Sequence, residues 1–260
     1  MRARRADTVL AERGLARSRS SAAEAIRAGR VRLGEHGRTI AKPSELIDPD
    51  AELFVVEGRR FVSRGGEKLA NALDALGIDV AGRDCLDVGA STGGFTDCML
   101  QRGAARVIAL DVAHGQLDWA LRNDERVHVI ERYNARSLVP EDLPYVPSLA
   151  TIDVSFISLT KVLPAVAEAV APDGEILAMV KPQFELGRQR VKGGVVRDRA
   201  DRREAVLVVA RAAAELGLAV RGFAPSGLPG PKGNRETFVW CARSGEGIAD
   251  LEAAVEEVDA

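Results

Sequence analysis

The sequence predicts an α/β protein whose main domain holds a seven-stranded, mostly parallel sheet, with a small α+β domain before it. Two observations predict the sheet. Apolar segments alternate with helical patterns from residue 84 onward, and the last two apolar segments follow each other with no helix between them. A third observation separates the small domain, because the first 60 residues hold only short elements and an excess of positive charge. Continuous apolar strands joined by helices are typical of a parallel sheet covered on both faces.

Two short helices and a few strands are predicted for residues 1–60. The first helix is amphipathic and ends near Gly14, and its apolar positions are Val9, Leu10, Leu15 and Ala16. The second begins in the serines of SRSSAAEAIRAGRV, which suit N-capping, and stops at Gly29. Strand-like segments follow at 31–33 and 53–56, separated by Gly, Pro and Asp turns. A compact α+β domain fits this length.

Charge is unevenly distributed along the chain. The formal net charge is −2, yet residues 1–66 hold 14 Lys and Arg against 9 Asp and Glu, and the remainder holds 22 against 29. A basic module on an acidic body suggests contact with a polyanion at one end of the chain.

Export and membrane insertion are not indicated by the sequence. No apolar run reaches the roughly 18 residues that span a bilayer, and the basic start MRARRADTVLAERG has no apolar segment behind it. Cys85, Cys98 and Cys241 lack the spacing of a disulfide framework or a metal site. We therefore expect buried thiols, no metal, and a cytoplasmic protein.

The N-terminal segment resembles a known RNA-binding module. The order LAERGLARSRSSAAEAIRAGRVRLG, followed by AKPSELIDPDAELFV, is similar to the S4 domain along nearly its whole length. That resemblance implies RNA contacts from Arg4, Arg5, Arg17, Arg19, Arg27 and Arg30. Guanidinium groups match phosphate oxygens bidentately and position RNA without reading its sequence. The alternative is that some of these arginines only pair with Glu12 and Glu24.

The main domain is predicted to begin at residue 67, after a short linker at 61–66. Its strands are predicted at 85–90, 106–112, 127–131, 149–156, 175–181, 218–224 and 236–242. Helices are predicted at 67–78, 96–102, 158–170 and 199–216. The final strand can enter antiparallel, as part of a hairpin at the sheet edge. This is the layout of the Rossmann-like class I methyltransferases, whose ligands bind beyond the carboxyl ends of the strands.

A glycine-rich turn follows the first strand of this sheet. LDVGASTGGFTD has an acid two residues before the first glycine, which differs from the GxGxxG pattern of dinucleotide sites. A carboxylate there would repel a pyrophosphate but suits the sulfonium and amino groups of S-adenosylmethionine. The sequence thus favours S-adenosylmethionine over NAD, with the loop contacts made by Asp87, Gly89, Ser91, Thr92 and Gly93.

Two further cofactor contacts are expected at the next strand ends. Asp111 ends the second strand, where its carboxylate can accept hydrogen bonds from both ribose hydroxyls. The alternative for Asp111 is an N-cap of the following helix. Asn134 follows the third strand and is expected to touch the adenine.

Ionisable residues at strand ends indicate the acceptor of the methyl group. Asp153-Val-Ser-Phe156 lacks the two prolines that base-directed amino methylases carry after the fourth strand, which argues against base N-methylation. The remaining set resembles the tetrad of the FtsJ-related ribose 2′-O-methyltransferases, and consists of Lys68, Asp153, Lys181 and Glu236. We expect Lys181 beside the hydroxyl, with the other three setting its charge state and orientation, and Asp153 also near the cofactor. The alternative is a set of ordinary surface ion pairs.

Several longer motifs narrow the resemblance to one family. FVSRGGEKL, LDVAHGQLDW, MVKPQFELG, KGGVVRD and SGLPGPKGNRETF resemble the TlyA, or hemolysin A, family over residues 4 to 243. The resemblance implies cytidine 2′-O-methylation of ribosomal RNA or ribosomal subunits, in some members of both subunits, with an effect on sensitivity to capreomycin-type antibiotics. The implied activity requires no membrane and is compatible with a monomeric protein. The family name supplies the alternative function, a membrane-active hemolysin, although the chain has no long amphipathic helix suited to insertion.

Two other features have an RNA-related interpretation and a structural one. Phe156 could stack on a target nucleotide that has left its helix, or could be a core aromatic beneath the loop. The loop that holds Arg188, Arg190, Lys192 and Arg197 could clamp RNA, or could be a plain surface loop.

Overall fold

The computed structural model describes residues 3–56, 60–187, 190–191 and 193–258. They fall into two compact units, one up to residue 56 and one from residue 60 on, and each is treated by itself. Arg188 and Lys192 of the basic loop lie outside the described residues.

The first unit is a small α+β domain, as the sequence predicts. Its elements are β1 (Arg4–Arg5), α1 (Ala6–Glu12), α2 (Arg19–Arg27), β2 (Val31–Leu33), β3 (Leu46–Ile47) and β4 (Leu53–Val55). β1 pairs with β3 and β2 with β4, both antiparallel. The Ser18 hydroxyl caps α2 by accepting the Ser21 N–H, and the chain leaves that helix through Gly29 at φ +68°.

The core of this unit is built from the apolar faces of the two helices. Leu10 and Ile26 are fully buried and pack against Val31 and Ile40. Leu15 was predicted on the first helix, but α1 ends at Glu12 and the Leu15 side chain is exposed. The helix ends early because Gly14 takes the left-handed conformation, φ +71°.

The second unit carries a seven-stranded sheet. Its strands are β5 (Asp84–Val88), β6 (Arg106–Asp111), β7 (Val127–Glu131), β8 (Leu149–Ile152), β9 (Glu175–Val180), β10 (Ala219–Pro225) and β11 (Thr237–Ala242). Their order across the sheet is β10-β11-β9-β8-β5-β6-β7, and β11 is antiparallel to both of its neighbours. The β10–β11 hairpin therefore lies at the edge of the sheet. Its final strand, β11, is inserted between β9 and β10, so β10 is the outermost strand.

Helices cover both faces of this sheet. They are α3 (Arg64–Leu76), α4 (Gly94–Gln101), α5 (Trp119–Arg122), α6 (Leu163–Ala169), α7 (Pro182–Glu185), α8 (Arg199–Glu215) and α9 (Leu251–Glu257). Leu86 and Val88 of β5 belong to the cluster that contains α6 and α8, whereas Cys85 belongs to the cluster that contains α3 and α4. Burial on both faces explains why the strands are continuously apolar.

Two predicted features take a different form in the structure. Residues 61–66, predicted as a linker, lie in the second unit, where Phe61 is buried in the core and 64–66 start α3. The strand predicted at 149–156 ends at Ile152, because the chain leaves the sheet at Asp153 to form a loop. That loop borders the site described below.

The three cysteines are buried thiols, as expected. Burial raises the pKa of each thiol to about 12, so they are unreactive at neutral pH. Among the described helices, none has the length and apolar character needed to span a bilayer.

Candidate active site

The glycine turn after β5 requires glycine for a steric reason. Gly89 has φ +87°, and a Cβ added there would lie 2.6 Å from the backbone oxygen of Asp153. Gly93 has φ +96° and precedes α4, where an added Cβ would overlap Leu121. The turn can therefore pass close to the loop after β8, which brings two strand ends to one place.

Asp87, which is predicted to contact the cofactor, is bonded to α4 through Oδ2, and its buried Oδ1 has no hydrogen-bond partner among the described residues. Its side chain is fully buried, lines neither of the cavities described below, and accepts two hydrogen bonds from Thr96 of α4, at 2.9 Å from the backbone nitrogen and 2.6 Å from the hydroxyl. Burial raises the pKa of this carboxyl to about 7; repulsion by Asp153 and Asp111 adds to the shift and the Thr96 bonds oppose it. Because the side chain points toward α4, Asp87 fixes the turn to the helix.

A cavity of about 510 Å³ lies at the carboxyl ends of β6 and β8. Asp111 and Asn134 both line it, together with Gly89, Ser91 and Asp153. Each Asp111 oxygen accepts one backbone N–H at 2.7 Å, from Ala113 and from Ser91. Asp111 is not a helix N-cap, because α5 begins at Trp119 and is capped by Asp118.

The chemistry of this cavity fits an adenosine group. Asp111 offers carboxylate lone pairs to a hydroxyl pair, and its backbone contacts hold it in one orientation. The side-chain oxygen of Asn134 accepts the Arg136 N–H at 3.1 Å, which leaves the amide nitrogen for a ligand. Apolar walls suited to a planar base come from Leu110, Val112, Ala135, Ile157 and Val162.

A second cavity of about 310 Å³ contains the predicted tetrad. Lys68, Asp153, Lys181 and Glu236 all line it, beside Gly89 and Ser91 of the glycine turn. Thr92 lines it as well. The two cavities share Gly89, Ser91, Asp153 and Ser155, so they adjoin at the turn. One ligand can therefore extend from the larger cavity into the smaller one.

The tetrad is arranged as two lysine–carboxylate pairs. Lys68 and Glu236 form an ion pair whose side chains are 8% and 2% exposed. Lys181 Nζ lies 2.5 Å from Asp153 Oδ1 and donates to Ser155 Oγ at 2.9 Å. These are not ordinary surface pairs, because all four groups line one cavity and the Lys68–Glu236 pair is buried. Such an arrangement can hold a hydroxyl between a cation and a carboxylate.

Phe156 stands at the rim of the larger cavity. Its side chain is 91% exposed, which excludes the alternative of a core aromatic, and its backbone has φ +64°, uncommon for a bulky residue. Its ring centroid lies 5.3 Å from that of Phe184. Glu185 anchors the same loop by accepting the Ser158 hydroxyl at 2.6 Å and the Leu159 N–H at 2.9 Å.

Asn234 is a site residue that the sequence does not reveal. It is 2% exposed, accepts the Val196 N–H at 2.9 Å and donates to the Gly194 oxygen at 2.8 Å. It thereby joins the motif KGGVVRD to the motif GPKGNRETF, two residues before Glu236. Arg197 of the first motif is exposed, and Arg190, which precedes that motif, is bound to Asp201.

The loop between β6 and α5 is held by a second residue that was not anticipated. Glu131, at the end of β7, accepts the Gly115 N–H at 2.9 Å, contacts His114 Nδ1 at 2.7 Å and pairs with Arg122. Arg122 is the main reason that the pKa of this carboxyl falls to about 2. The loop carries Val112 and Gln116, which line the larger cavity.

The arginines predicted to bind RNA have different surroundings in the first unit. Arg4 pairs with Glu12 at 2.6 Å, whereas Arg5 and Arg19 both bind Asp7. Arg17 and Arg27 are exposed and Arg30 is half-buried, and within the described residues Glu24 pairs with none of the predicted six. The alternative of pairing with acids therefore holds for Arg4 with Glu12 and fails for Glu24.

Comparison with known proteins agrees with this geometry. The sequence model of the FtsJ-like methyltransferase family matches residues 61–243, and the sequence model of the S4 domain family matches residues 4–53. A Mycobacterium tuberculosis protein named 16S/23S rRNA (cytidine-2′-O)-methyltransferase TlyA is 51% identical over 255 residues, which cover 95% of this chain and 94% of that protein. The chain belongs to the TlyA family of FtsJ-like methyltransferases. It is therefore an enzyme, and its first unit is an S4 domain.

Further relatives and solved structures that are similar to this chain carry several different names. A Campylobacter jejuni protein named 23S rRNA (cytidine-2′-O)-methyltransferase TlyA is 34% identical over 76% of this chain and 77% of its own length. A solved protein from Streptococcus thermophilus carries a hemolysin name; it is 39% identical, has a TM-score of 0.74, and covers 99% of this chain and 96% of its own. An S-adenosylmethionine-dependent methyltransferase from Mesorhizobium loti shares the fold at 17% identity, with a TM-score of 0.51 over 70% of this chain and 100% of its own.

Proposed function

We propose that this enzyme transfers a methyl group from S-adenosylmethionine to the 2′-hydroxyl of cytidine in ribosomal RNA. The observation that carries the proposal is the pair of adjoining cavities, one with an adenosine-type lining and one surrounded by two lysine–carboxylate pairs. The names of the mycobacterial and Campylobacter relatives support the nucleotide and the RNA. Glycine residues 89 and 93, with Ser91, Thr92, Asp111 and Asn134, would hold the cofactor.

The residues of the smaller cavity would act mainly by orientation. When bound, the cofactor supplies an electrophilic methyl group on a sulfonium, so no further activation of the leaving group is needed. Lys181 directs the ribose hydroxyl through Nζ, while Asp153 and Ser155 fix that ammonium group in place. With Lys181 present as the ammonium, the Asp153 carboxylate would accept the hydroxyl proton and pass it to water, as the oxygen gains the methyl group.

The second pair completes the charge balance of the cavity. Lys68 and Glu236 neutralise each other in a buried position, where a lone charge would be costly. Their role is to fix the electrostatic field at Lys181 and to keep the acceptor oxygen near a cation. Phe156 would stack on the target nucleotide, because its ring is exposed at the rim of the cofactor cavity.

We also propose the finer aspects of this activity. The substrate is ribosomal RNA of the large subunit and also of the small subunit. The enzyme acts as a monomer in the cytoplasm, and the methylation affects sensitivity to capreomycin-type antibiotics. The 16S/23S name of the mycobacterial relative supports the second subunit. Mapping 2′-O-methyl positions in both RNAs, with and without the gene, tests this, and methylation of 23S RNA alone would restrict the proposal to the large subunit.

Substitution of Lys181 tests the chemistry. In Lys181→Ala we expect transfer of radiolabelled methyl groups to unmethylated ribosomal subunits to fall at least about 100-fold, the usual scale for a group that assists proton transfer. S-Adenosylmethionine affinity should stay within about threefold, because Lys181 does not line the larger cavity. Lys161→Ala, an exposed lysine outside both cavities, is the matched control. Full activity of Lys181→Ala would remove this residue from the mechanism.

Membrane lysis is the alternative function, and the hemolysin name of the Streptococcus thermophilus protein is its basis. Dye release from phosphatidylcholine vesicles at sub-micromolar protein would support it. We expect no release, because the exposed groups around the two cavities are those of a methyltransferase that binds RNA.

A further inference from the structure

Asp7 is the most buried carboxylate of the S4 unit and lies beneath its basic surface. It is only 3% exposed. Arg5 donates to both of its oxygens, from Nε at 3.0 Å and from Nη2 at 2.7 Å, and Arg19 donates from Nε at 3.2 Å. The Asp7 N–H donates to the Pro43 oxygen at 3.1 Å, so the backbone that carries this carboxylate is bonded to the segment before β3.

Within the part of the chain that the structure describes, these contacts leave the outer edges of both guanidinium groups without a hydrogen-bond partner. Arg19 uses only Nε, so its two terminal nitrogens remain available, and its side chain is 59% exposed. Arg5 retains Nη1, and its side chain is 42% exposed. Because a guanidinium group is planar and rigid, fixing one edge also fixes the direction in which the other edge donates.

We infer that Asp7 is a positioning residue for RNA binding: it holds Arg5 and Arg19 in the orientation in which they donate to phosphate oxygens. The inference rests on the proposed RNA-binding function of the S4 unit. The two arginines come from different elements, β1 and α2, and Asp7 of α1 is the group that joins them.

If Asp7 acts by orienting the two arginines, its removal should weaken RNA binding. If only its negative charge matters, its removal should strengthen RNA binding. An RNA-binding surface normally gains affinity when a negative charge is removed, because the phosphates are then less repelled. A free arginine side chain, however, loses rotamer entropy when it is ordered by a ligand. Asp7 already orders both side chains before RNA arrives, so its removal costs affinity although the chain becomes more positive.

Glu12 supplies a matched control within the same unit. It also pairs with an arginine, Arg4, but both side chains are about half exposed, at 47% and 50%. Such a surface pair orders its members weakly. Glu12→Gln removes the same charge as Asp7→Asn without releasing an anchored arginine, so it should bind RNA as tightly as the native chain or more tightly.

The test measures binding of the full chain to unmodified 23S ribosomal RNA transcribed in vitro, at two salt concentrations. We expect Asp7→Asn to raise Kd about five- to tenfold, and Glu12→Gln to leave it unchanged or lower it. Arg19→Lys keeps the charge but loses the Nε contact, and should weaken binding to a similar degree. In an Arg5→Ala/Arg19→Ala background, Asp7→Asn should cause no further loss of affinity, because only the effect of the removed negative charge is left; a merely structural role would produce a further loss.

Each contrary outcome has a distinct meaning. Native or tighter binding by Asp7→Asn, or a full additional loss in the double-alanine background, overturns the positioning role and leaves RNA binding by the unit intact. Unchanged binding by Arg5→Ala/Arg19→Ala overturns the proposed use of these arginines, and the inference with it. Affinity for S-adenosylmethionine should stay constant throughout, since the cofactor residues belong to the second unit.

Discussion

Four carboxylates of the second unit lie in or beside the two cavities, and their partners differ. Asp111 accepts two backbone N–H groups, and Asp87 accepts a hydroxyl and a backbone N–H from one threonine. Asp153 and Glu236 are each paired with a lysine. Asp153 lines both cavities, Asp111 lines the larger one and Glu236 lines the smaller one. The lysine-paired acids thus border the space proposed for the acceptor, and the acid held by two backbone N–H groups borders the space proposed for adenosine.

Asp87 should make stability depend on pH in an unusual direction. Its pKa of about 7 in the folded chain lies above the ordinary 3.8. Between these pH values the folded chain keeps a proton that the unfolded chain has released, so the free energy of unfolding falls as pH rises toward 7. Asparagine cannot ionise. Relative to the native chain, Asp87→Asn should therefore gain about 2 kcal/mol between pH 5 and pH 8, measured by urea denaturation.

An exposed acid of the same unit provides the control for that measurement. Asp173→Asn should follow the native chain at both pH values. If the difference between Asp87→Asn and the native chain is the same at pH 5 and pH 8, then Asp87 does not hold a proton in the folded state.

At the residue scale, the sequence predicts best the residues that come directly after a strand, because the carboxyl ends of parallel strands meet at one edge of the sheet. The four tetrad residues surround one cavity, and Asp111 and Asn134 line the other, as expected from strands that end at one edge of a sheet. The cofactor contact of Asp87 stays a prediction, because Oδ2 is bonded to α4 while the buried Oδ1 has no partner among the described residues. Asn234 was missed because its partners, Gly194 and Val196, lie 40 and 38 positions away in the chain.

At the scale of elements, the loop between β6 and α5 forms a wall of the larger cavity, and its conformation depends on β7. Glu131 accepts the Gly115 N–H and contacts His114, and the Asp118 N–H donates to the Thr92 oxygen at 3.2 Å. The loop is thus fixed from two neighbouring strand ends. Its stiffness should matter for the cofactor and not for the RNA.

Glu131→Gln tests that expectation. The amide cannot pair with Arg122 as a carboxylate does, so the loop should loosen and KM for S-adenosylmethionine should rise about five- to tenfold, roughly 1 kcal/mol. The value of kcat at saturating cofactor and KM for the RNA should stay within about twofold. Glu125→Gln, an exposed neighbour, is the control. A fall in kcat with an unchanged KM would contradict this role for Glu131.

The elements that were predicted share a strong pattern, and those that were missed are short. The seven strands of the large sheet and the helices at 64–76, 94–101 and 199–215 follow clear apolar periods. By contrast, α5 and α7 have four residues each, too few to show a period. The insertion of β11 between β9 and β10 depends on which edge the hairpin meets, and local patterns do not specify that.

For the whole molecule, each of the two units has a core of its own. The S4 unit buries the faces of α1 and α2 around Leu10 and Ile26, and the second unit buries both faces of its sheet. Every described residue that lines either cavity belongs to the second unit. Cofactor binding and RNA capture should therefore be separable.

Removal of residues 1–59 should separate them. We expect the shortened enzyme to bind S-adenosylmethionine within about threefold of the native affinity, by calorimetry, while methyl transfer to ribosomal subunits falls at least about 100-fold. Loss of the arginine–phosphate contacts is the physical reason. Native rates on ribosomal subunits would show that the second unit finds its substrate alone.

The antiparallel course of β11 has a consequence for the order in which the enzyme becomes active during its synthesis. Because this strand runs opposite to its neighbours, its first residues, not its last, meet the ends of the parallel strands, and Glu236 reaches Lys68 across 168 positions of sequence. Every residue lining the adenosine-type cavity has been made by position 162. A nascent or truncated chain that stops before Glu236 should thus hold the described residues of the larger cavity but lack the partner of Lys68, and we expect the capacity to methylate to arrive with the last strand of the sheet.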